Sequence, residues 1–139
     1  MHALLPQHKF LRTGKPCEAY TDTHLQLIAG SLLTRRDVVL AISHTGPNRD
    51  MLEVCGVARQ AGAHLVAVTH FAPSPVTRPA EVSLFTSSRE TSCRHESLSS
   101  RIATLNIVDT LYVGVSLRNH RRMLDNLRRI RQAILPTRT

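Results

Sequence analysis

A short polar segment follows an apolar run near the middle of the chain, and its residue types suit anion binding. The apolar run is Val38–Ile42, and the segment after it, residues 43–46, reads SHTG. Hydroxyl side chains and a glycine at the carboxyl end of a strand form a small concave group of hydrogen-bond donors. Pro47 fits the first position of a following helix, whose free N–H groups and partial positive charge favour a phosphate. The segment therefore predicts a phosphate-binding site.

The same four residues also have a plainer interpretation. Short hydroxyl side chains before a helix are common as turn and capping residues with no ligand. His44 is equally consistent with a ligand contact and with a solvent-facing loop position. The segment alone leaves both interpretations open.

Length, composition and charge narrow the class of protein. The 139 residues predict one domain, and the net charge of +8, nearly all arginine, is consistent with anionic partners. No apolar run approaches the length of a membrane span, and no secretory signal precedes the first elements, so we expect a cytoplasmic protein without membrane contact. The three cysteines and eight scattered histidines show no metal-ligand spacing. We therefore expect neither a metal nor a cofactor.

The elements that position the polar segment alternate between strand and helix. Strands are predicted at Pro16–Thr21, Val38–Ile42, His64–Thr69 and Glu81–Phe85. The first helix begins with a Thr23–Gln26 capping box and carries Leu25, Ile28 and Leu32 on one face. The next carries an apolar stripe that Gly62 ends as a C-cap. Two long helices follow, with the inward residues Leu98, Ile102, Leu105, Val108, Tyr112 and Val115 on one and Met123, Leu127, Ile130 and Ile134 on the other. This alternation predicts a parallel sheet covered by helices, with ligands beyond the strands' carboxyl ends.

Four segments resemble one known family. They are GKPCEAYTDTHLQL (Gly14–Leu27), DVVLAISHTGPNRDMLE (Asp37–Glu53), ARQAGAHLVAVT (Ala58–Thr69) and RETSCRHESLSSRIATLNIVDTLYV (Arg89–Val113). The chain is similar to the SIS (sugar isomerase) domain, and within it to the C-terminal effector domains of RpiR-type transcriptional regulators. The resemblance implies an α/β three-layer sandwich with a parallel, flavodoxin-like sheet of order 2-1-3-4-5.

The resemblance also implies site residues. Ser43, Thr45 and Asn48 occupy the positions that hold the phosphate of a phosphosugar, where Asn48 replaces a usual hydroxyl by an amide that still donates. His44 and Gly46 complete the phosphate-binding turn. The sugar hydroxyls are expected to reach a later segment, whose candidate residues are Glu90, Glu96 and Ser100. A homodimer or higher oligomer is implied as well.

The chain departs from the family pattern at its start. The family's usual first strand with its Gly/Ser-rich loop is missing, and so is the helix-turn-helix domain that precedes it in the regulators. We therefore expect contact with DNA only through a helix-turn-helix domain that is absent from this chain. Residues 1–10 are expected to form an N-terminal extension, 11–135 the SIS-like domain and 136–139 a tail.

These observations favour a phosphosugar-binding, effector-sensing domain of a bacterial regulator over an enzyme. One alternative is an aldose–ketose phosphosugar isomerase that uses Glu90 or Glu96 as its base. The other is a remnant of the domain that binds no ligand and serves in dimerisation. A sensing domain has no catalytic residue, because its carboxylates only accept hydrogen bonds from sugar hydroxyls.

Overall fold

A computed structural model describes residues 4–43, 49–70, 74–87 and 98–135. The chain divides into two compact units. The sheet unit comprises Tyr20–Ile107, and the helical unit comprises Met1–Ala19 with Val108–Thr139.

The sheet unit is built on three parallel strands. They are β1 (Val38–Ser43), β2 (His64–Thr69) and β3 (Val82–Phe85), in the order β1-β2-β3. The register pairs Val38 with His64 and Ser43 with Thr69, so the first two strands end together at the carboxyl edge. The predicted strands at Val38–Ile42, His64–Thr69 and Glu81–Phe85 are confirmed to within one residue at each end. The expected α/β class with a parallel sheet is confirmed with them.

The sheet unit contains α2 (Thr23–Ser31), α3 (Arg49–Gln60) and the first part of α4 (Leu98–Arg118). They are numbered after α1 (Leu4–Leu11) of the helical unit. The core lies between the sheet and α3, where apolar side chains from both are buried. It consists of Ala41, Cys55, Leu65, Ala67 and Val76. The predicted glycine cap is confirmed: Gly62 has φ +98°, and the Ala63 N–H donates to the Ala58 carbonyl at 3.1 Å. This bond and the one from Gly62 N–H to Arg59 form a Schellman ending.

The start of α2 differs from the predicted capping box. Asp22 is the N-cap, and its Oδ1 accepts a hydrogen bond from the Leu25 N–H at 2.9 Å. Thr23 is already helical, and its hydroxyl donates to Asp50 at 3.5 Å. Gln26 donates its side-chain amide to the Tyr20 carbonyl instead of closing a box. The two neighbouring residues are both good caps, and the backbone conformation selects the aspartate.

Two further sequence expectations are wrong. Pro16–Thr21 forms no strand, because none of the described strands pairs with it. The apolar face of α2 is exposed: Leu25, Ile28 and Leu32 keep between 46% and 76% of their accessible surface. Helix α2 instead packs on α3 through Gly30, where an added Cβ would lie 3.8 Å from the Ala58 Cβ. A small residue permits this close approach of the two helices.

The helical unit contains α1, the last part of α4 (Leu98–Arg118), and α5 (His120–Ile134). Lys9 of α1 forms an ion pair with Asp109 of α4. The rings of Phe10 and Tyr112 meet edge to face with centroids 6.0 Å apart. Among the described residues of this unit, Pro6, Val108 and Met123 are buried.

The predicted inward faces of the last two helices are only partly correct. Val108 and Met123 are buried, whereas Ile102, Val115, Leu127 and Ile134 are exposed. Helical periodicity therefore predicted apolar stripes that are wider than the part of each helix that is buried among the described residues. None of the described helices is both long and apolar enough to cross a membrane.

Candidate functional site

The predicted phosphate segment begins at the carboxyl edge of the sheet. Ser43 is the last residue of β1, and it is buried, with 6% of its surface exposed. Alternation along the strand puts it on the same face as Ala41, which belongs to the core against α3. The next described residue, Arg49, is the first of α3. The Ser43 hydroxyl thus lies at the end of the strand that precedes α3 in the sequence, as predicted.

A second hydroxyl lies beside it on the neighbouring strand. Thr69 ends β2, pairs in register with Ser43, and shares its face of the sheet. The Thr69 side chain is buried, and its Oγ1 has no hydrogen-bond partner among the described residues. The same holds for the Ser74 hydroxyl, five residues further along the chain. Leaving a buried hydroxyl unpaired costs about 1–3 kcal/mol, so the carboxyl edge contains hydrogen-bonding capacity that the described protein groups do not use.

Sequence reasoning missed Thr69 and Ser74. The sequence pattern predicts Thr69 only as the last residue of an apolar strand and Ser74 only as part of a proline-rich loop. The available signal was the position of Thr69, since it ends a parallel strand next to the strand of Ser43. That these two hydroxyls are left unpaired among the described residues depends on the packing around them, which the sequence does not reveal.

The amino end of α3 carries charges of both signs. Arg49 and Asp50 occupy its first turn, and both are exposed. Asp50 accepts the hydrogen bond from Thr23 of α2. The Asp50 carboxylate already complements the dipole of α3. An anion that binds at this helix end therefore needs hydrogen bonds from hydroxyl and amide donors in addition to the dipole.

The remaining predicted site residues are divided by what the structure describes. Ser100 lies in the first turn of α4 and is completely buried. His44, Thr45, Gly46 and Asn48 lie outside the described residues, as do Glu90 and Glu96. Ser43 and Ser100 are therefore the predicted site residues whose positions are known, and both belong to the sheet unit.

The opposite, amino edge of the sheet carries an exposed ion cluster. Glu81, just before β3, accepts from His64 Nδ1 at 2.8 Å and from Arg59 Nη1 at 2.5 Å. The hydrogen bond from His64 is the main cause that lowers the pKa of Glu81 below its usual value, with the His64 and Arg59 charges adding to it. Because ligands of parallel α/β sheets bind at the carboxyl edge, we regard this cluster as structural.

The thiols and possible metal ligands point to no further chemistry in the described part of the chain. Cys55 is buried in the core, and burial raises the pKa of its thiol. Cys17 is partly buried, and burial followed by the charge of Glu18 raises its thiol pKa too. Within the described ranges, no three His, Cys, Asp or Glu side chains come close enough together to hold a metal ion.

The parallel sheet, with buried hydroxyls at its carboxyl edge before α3, defines an α/β domain. The family is shown directly, because residues 3–114 match the model of the SIS domain. The chain belongs to the SIS domain family, as its sequence resemblance implied.

Individual relatives are regulators of transcription. An HTH-type transcriptional regulator of Caldanaerobacter subterraneus subsp. tengcongensis is 37% identical over 121 residues, which cover 85% of this chain and 43% of the relative. The HTH-type transcriptional regulator RpiR of Escherichia coli K12 is 35% identical over 113 residues, or 81% of this chain and 38% of the relative. The chain thus spans less than half the length of these curated relatives.

A solved structure has the same fold. The Vibrio vulnificus NanR protein in complex with ManNAc-6P superposes with a TM-score of 0.85 at 20% sequence identity. The match covers 96% of this chain and 50% of that one. At this identity, the likeness establishes the SIS fold.

Proposed function

We propose that this chain is a phosphosugar-binding, effector-sensing SIS domain of an RpiR-type transcriptional regulator. The phosphate is held at the carboxyl edge of β1 by Ser43, Thr45 and Asn48 together with the turn residues His44 and Gly46. The sugar hydroxyls contact Glu90, Glu96 and Ser100. The regulators of this class act on the chromosome, so the proposal includes a cytoplasmic location and DNA binding through a separate helix-turn-helix domain.

The pair of buried hydroxyls at the ends of β1 and β2 carries this proposal. Ser43 and Thr69 lie in register on one face of the sheet, and in the part of the chain that the structure describes Thr69 Oγ1 lacks a partner. A phosphate oxygen accepts hydrogen bonds, which is what an unpaired hydroxyl can give. The similarity to NanR, which was solved with ManNAc-6P, suggests an amino-sugar phosphate as the first ligand to try.

The test is a thermal-shift and calorimetric screen of the purified chain against a panel of sugar phosphates that includes ManNAc-6P. Inorganic phosphate and the unphosphorylated sugars serve as controls. Ser43→Ala removes the central hydroxyl of the proposed site. Ser31→Ala is the matched control, because this hydroxyl at the end of α2 is exposed and donates only to its own helix at Ile28.

We expect one sugar phosphate to raise the melting temperature saturably, since a ligand that binds only the folded state stabilises it by mass action. The shift is lost in Ser43→Ala and retained in Ser31→Ala. A cooperatively folded protein that responds to no member of the panel contradicts the proposal and favours the remnant. Conversion of an aldose phosphate to its ketose, abolished by Glu90→Gln or Glu96→Gln, would instead identify an isomerase.

A homodimer is the assembly we propose for this domain. The three large apolar side chains on the exposed face of α2, Leu25, Ile28 and Leu32, support it, because contiguous apolar surface of this kind marks interaction sites. Light scattering coupled to size exclusion should give twice the 15.5 kDa chain mass. Ile28→Glu should shift the mass to that of a single chain, and a single-chain mass for the unaltered protein would exclude the dimer.

A further inference from the structure

The positive charge of the chain is concentrated in one of its two units. The helical unit contains ten of the 18 lysines and arginines and three of the ten acidic residues, a net charge of +7. The sheet unit, with eight basic and seven acidic residues, is almost neutral. The excess positive charge is therefore not spread evenly over the sequence but belongs to the helical unit.

A groove on this unit combines the charge with apolar surface. It is open to solvent and has a volume of about 420 Å³, between the end of α1 and one face of α5. We call it the α5 groove; its lining residues are Arg12, Leu124, Leu127, Arg128, Ile130 and Arg131. Three aliphatic side chains and three guanidinium groups thus share one concave surface.

The two walls of the groove are fixed to each other. Asn126 of α5 donates its side-chain amide to the Arg12 carbonyl, just past α1, at 3.2 Å. Gly14 approaches the same amide so closely that an added Cβ would lie 2.7 Å from its Nδ2. Because these contacts hold the end of α1 against α5, the groove is a formed feature of the unit.

The lining side chains repeat along the helix with the spacing of a docking face. Leu124, Leu127, Arg128 and Arg131 stand at i, i+3, i+4 and i+7, which is one face of a helix. Leu124 and Leu127 retain 41% and 38% of their accessible surface, so they are available to a partner. This stripe runs for about 10 Å, since a helix rises about 1.5 Å per residue, which matches two turns of a second helix.

The arginines of α5 have little internal compensation. Asp125 lies 3.4 Å from Arg128, in a pair exposed to solvent. Such exposed pairs contribute little. The other four arginines of the helix, Arg121, Arg122, Arg129 and Arg131, have no carboxylate partner in the described ranges. Their charge is therefore available to an anionic partner.

We propose that the α5 groove binds an acidic amphipathic segment of another protein, whose apolar side chains lie on Leu124 and Leu127 and whose carboxylates pair with Arg128 and Arg131. Charge complementarity determines this choice of partner. A second copy of the groove carries the same sign of charge and repels it. Nucleic acid supplies phosphates for the arginines, but its phosphate backbone offers no apolar contact for the two half-exposed leucines. Helix-in-groove recognition with i, i+3, i+4 and i+7 anchors uses both kinds of surface.

The test uses the full chain and a fluorescein-labelled synthetic helical peptide with leucine on one face and glutamate flanking it. Three probes are compared with it by fluorescence anisotropy. They are a peptide of the same composition in scrambled order, a peptide with lysine in place of glutamate, and a random-sequence DNA duplex. The double variant Arg128→Glu/Arg131→Glu reverses the charge of the groove. Arg35→Glu/Arg36→Glu, at exposed positions of the sheet unit, is the matched control with the same change in net charge.

We expect the glutamate peptide to bind and the scrambled and lysine peptides to bind at least about tenfold more weakly. Arg128→Glu/Arg131→Glu should weaken binding about tenfold, and the control should stay within about twofold. Leu127→Gln and Leu124→Gln, both checked for native circular dichroism, should each weaken it several-fold while raised salt weakens it only in part.

Four results would overturn the proposal. One is no binding of the glutamate peptide to the folded chain, and another is equal binding of the scrambled peptide. The third is an equal loss in the matched control, which would indicate attraction to net charge alone. The fourth is DNA binding as tight as that of the peptide and insensitive to Leu127→Gln and Leu124→Gln, which would mean a phosphate-binding surface.

Discussion

The side-chain amide of Asn126 joins two helices that are far apart in sequence by donating to the main-chain carbonyl of Arg12 at 3.2 Å. The same amide lies against Gly14, whose φ of +76° turns the chain away from α1. This hydrogen bond and this close approach therefore fix the position of the end of α1 against α5. The contact also makes a precise demand on residue 14.

Gly14→Ala should destabilise the protein by about 1–3 kcal/mol, because alanine is strained at positive φ. Its methyl group would also displace Asn126 from Arg12. Gly114→Ala in α4 is the matched control, since an added Cβ there meets no atom within 4 Å. In a helix interior this change should add about 0.5–1 kcal/mol of stability. Urea unfolding measures both, and equal effects of the two substitutions would contradict the role given to residue 14.

The ion cluster at the amino edge of the sheet predicts a pH dependence. Since folding lowers the pKa of Glu81, chiefly through the hydrogen bond from His64, its contribution to stability is present above its unfolded pKa near 4.5. That contribution is lost as the pH falls from there through the lower pKa of the folded state. The melting temperature should fall less between pH 6 and 3 in Glu81→Gln than in the unaltered chain.

Glu53→Gln is the control for this measurement, because it removes a carboxyl of α3 for which the described residues offer no partner. Its pH profile should run parallel to that of the unaltered chain. If Glu81→Gln ran parallel as well, the bonds to His64 and Arg59 would not contribute to stability.

Truncation of Leu65 and truncation of Leu32 should differ sharply in their effect on the free energy of unfolding. Leu65 of β2 is completely buried in the core, so Leu65→Ala should cost about 2–5 kcal/mol. Leu32, at the end of α2, keeps 76% of its surface, and Leu32→Ala should change stability by less than about 0.5 kcal/mol. Chemical denaturation at low protein concentration compares the two. A large loss in Leu32→Ala would mean that a partner covers this residue.

Thr69→Val should separate stability from ligand binding. Valine has nearly the same shape and carries no unpaired hydroxyl, so the variant without ligand should be about 1 kcal/mol more stable. The ligand-induced rise in melting temperature should shrink, since a proposed donor to the phosphate is gone. Thr69→Ser keeps the hydroxyl and should retain most of that rise. A less stable Thr69→Val would show that the hydroxyl has a partner in the free protein.

Much of the fold was predictable because the signals were local. Val38–Ile42 and His64–Thr69 are apolar runs of strand length, and Gly62 marks the end of the helix between them. The choice of Asp22 over Thr23 as N-cap was not predictable, because both side chains cap well and the backbone angles decide. Helical periodicity showed that Leu25, Ile28 and Leu32 share a face, but periodicity does not say whether anything covers that face.

The candidate site was predictable at Ser43, since a hydroxyl after a buried strand and before a helix is a sequence feature. Thr69 was not, because the lack of a hydrogen-bond partner depends on what surrounds the packed side chain. The concentration of charge in the helical unit was equally hidden. It requires knowing that Lys9, Arg12 and α5 belong to one unit, although more than a hundred residues separate them.

The parallel sheet also determines when the domain can fold during synthesis. Val38 pairs with His64, and Val66 pairs with Val82, so no two neighbouring strands are joined by a hairpin. Each ladder must wait until a complete crossover segment has left the ribosome, and β3 cannot add before Phe85 has emerged. Until Thr69 has emerged, the apolar residues of β1 have no strand to pair with, which leaves them open to aggregation during that interval.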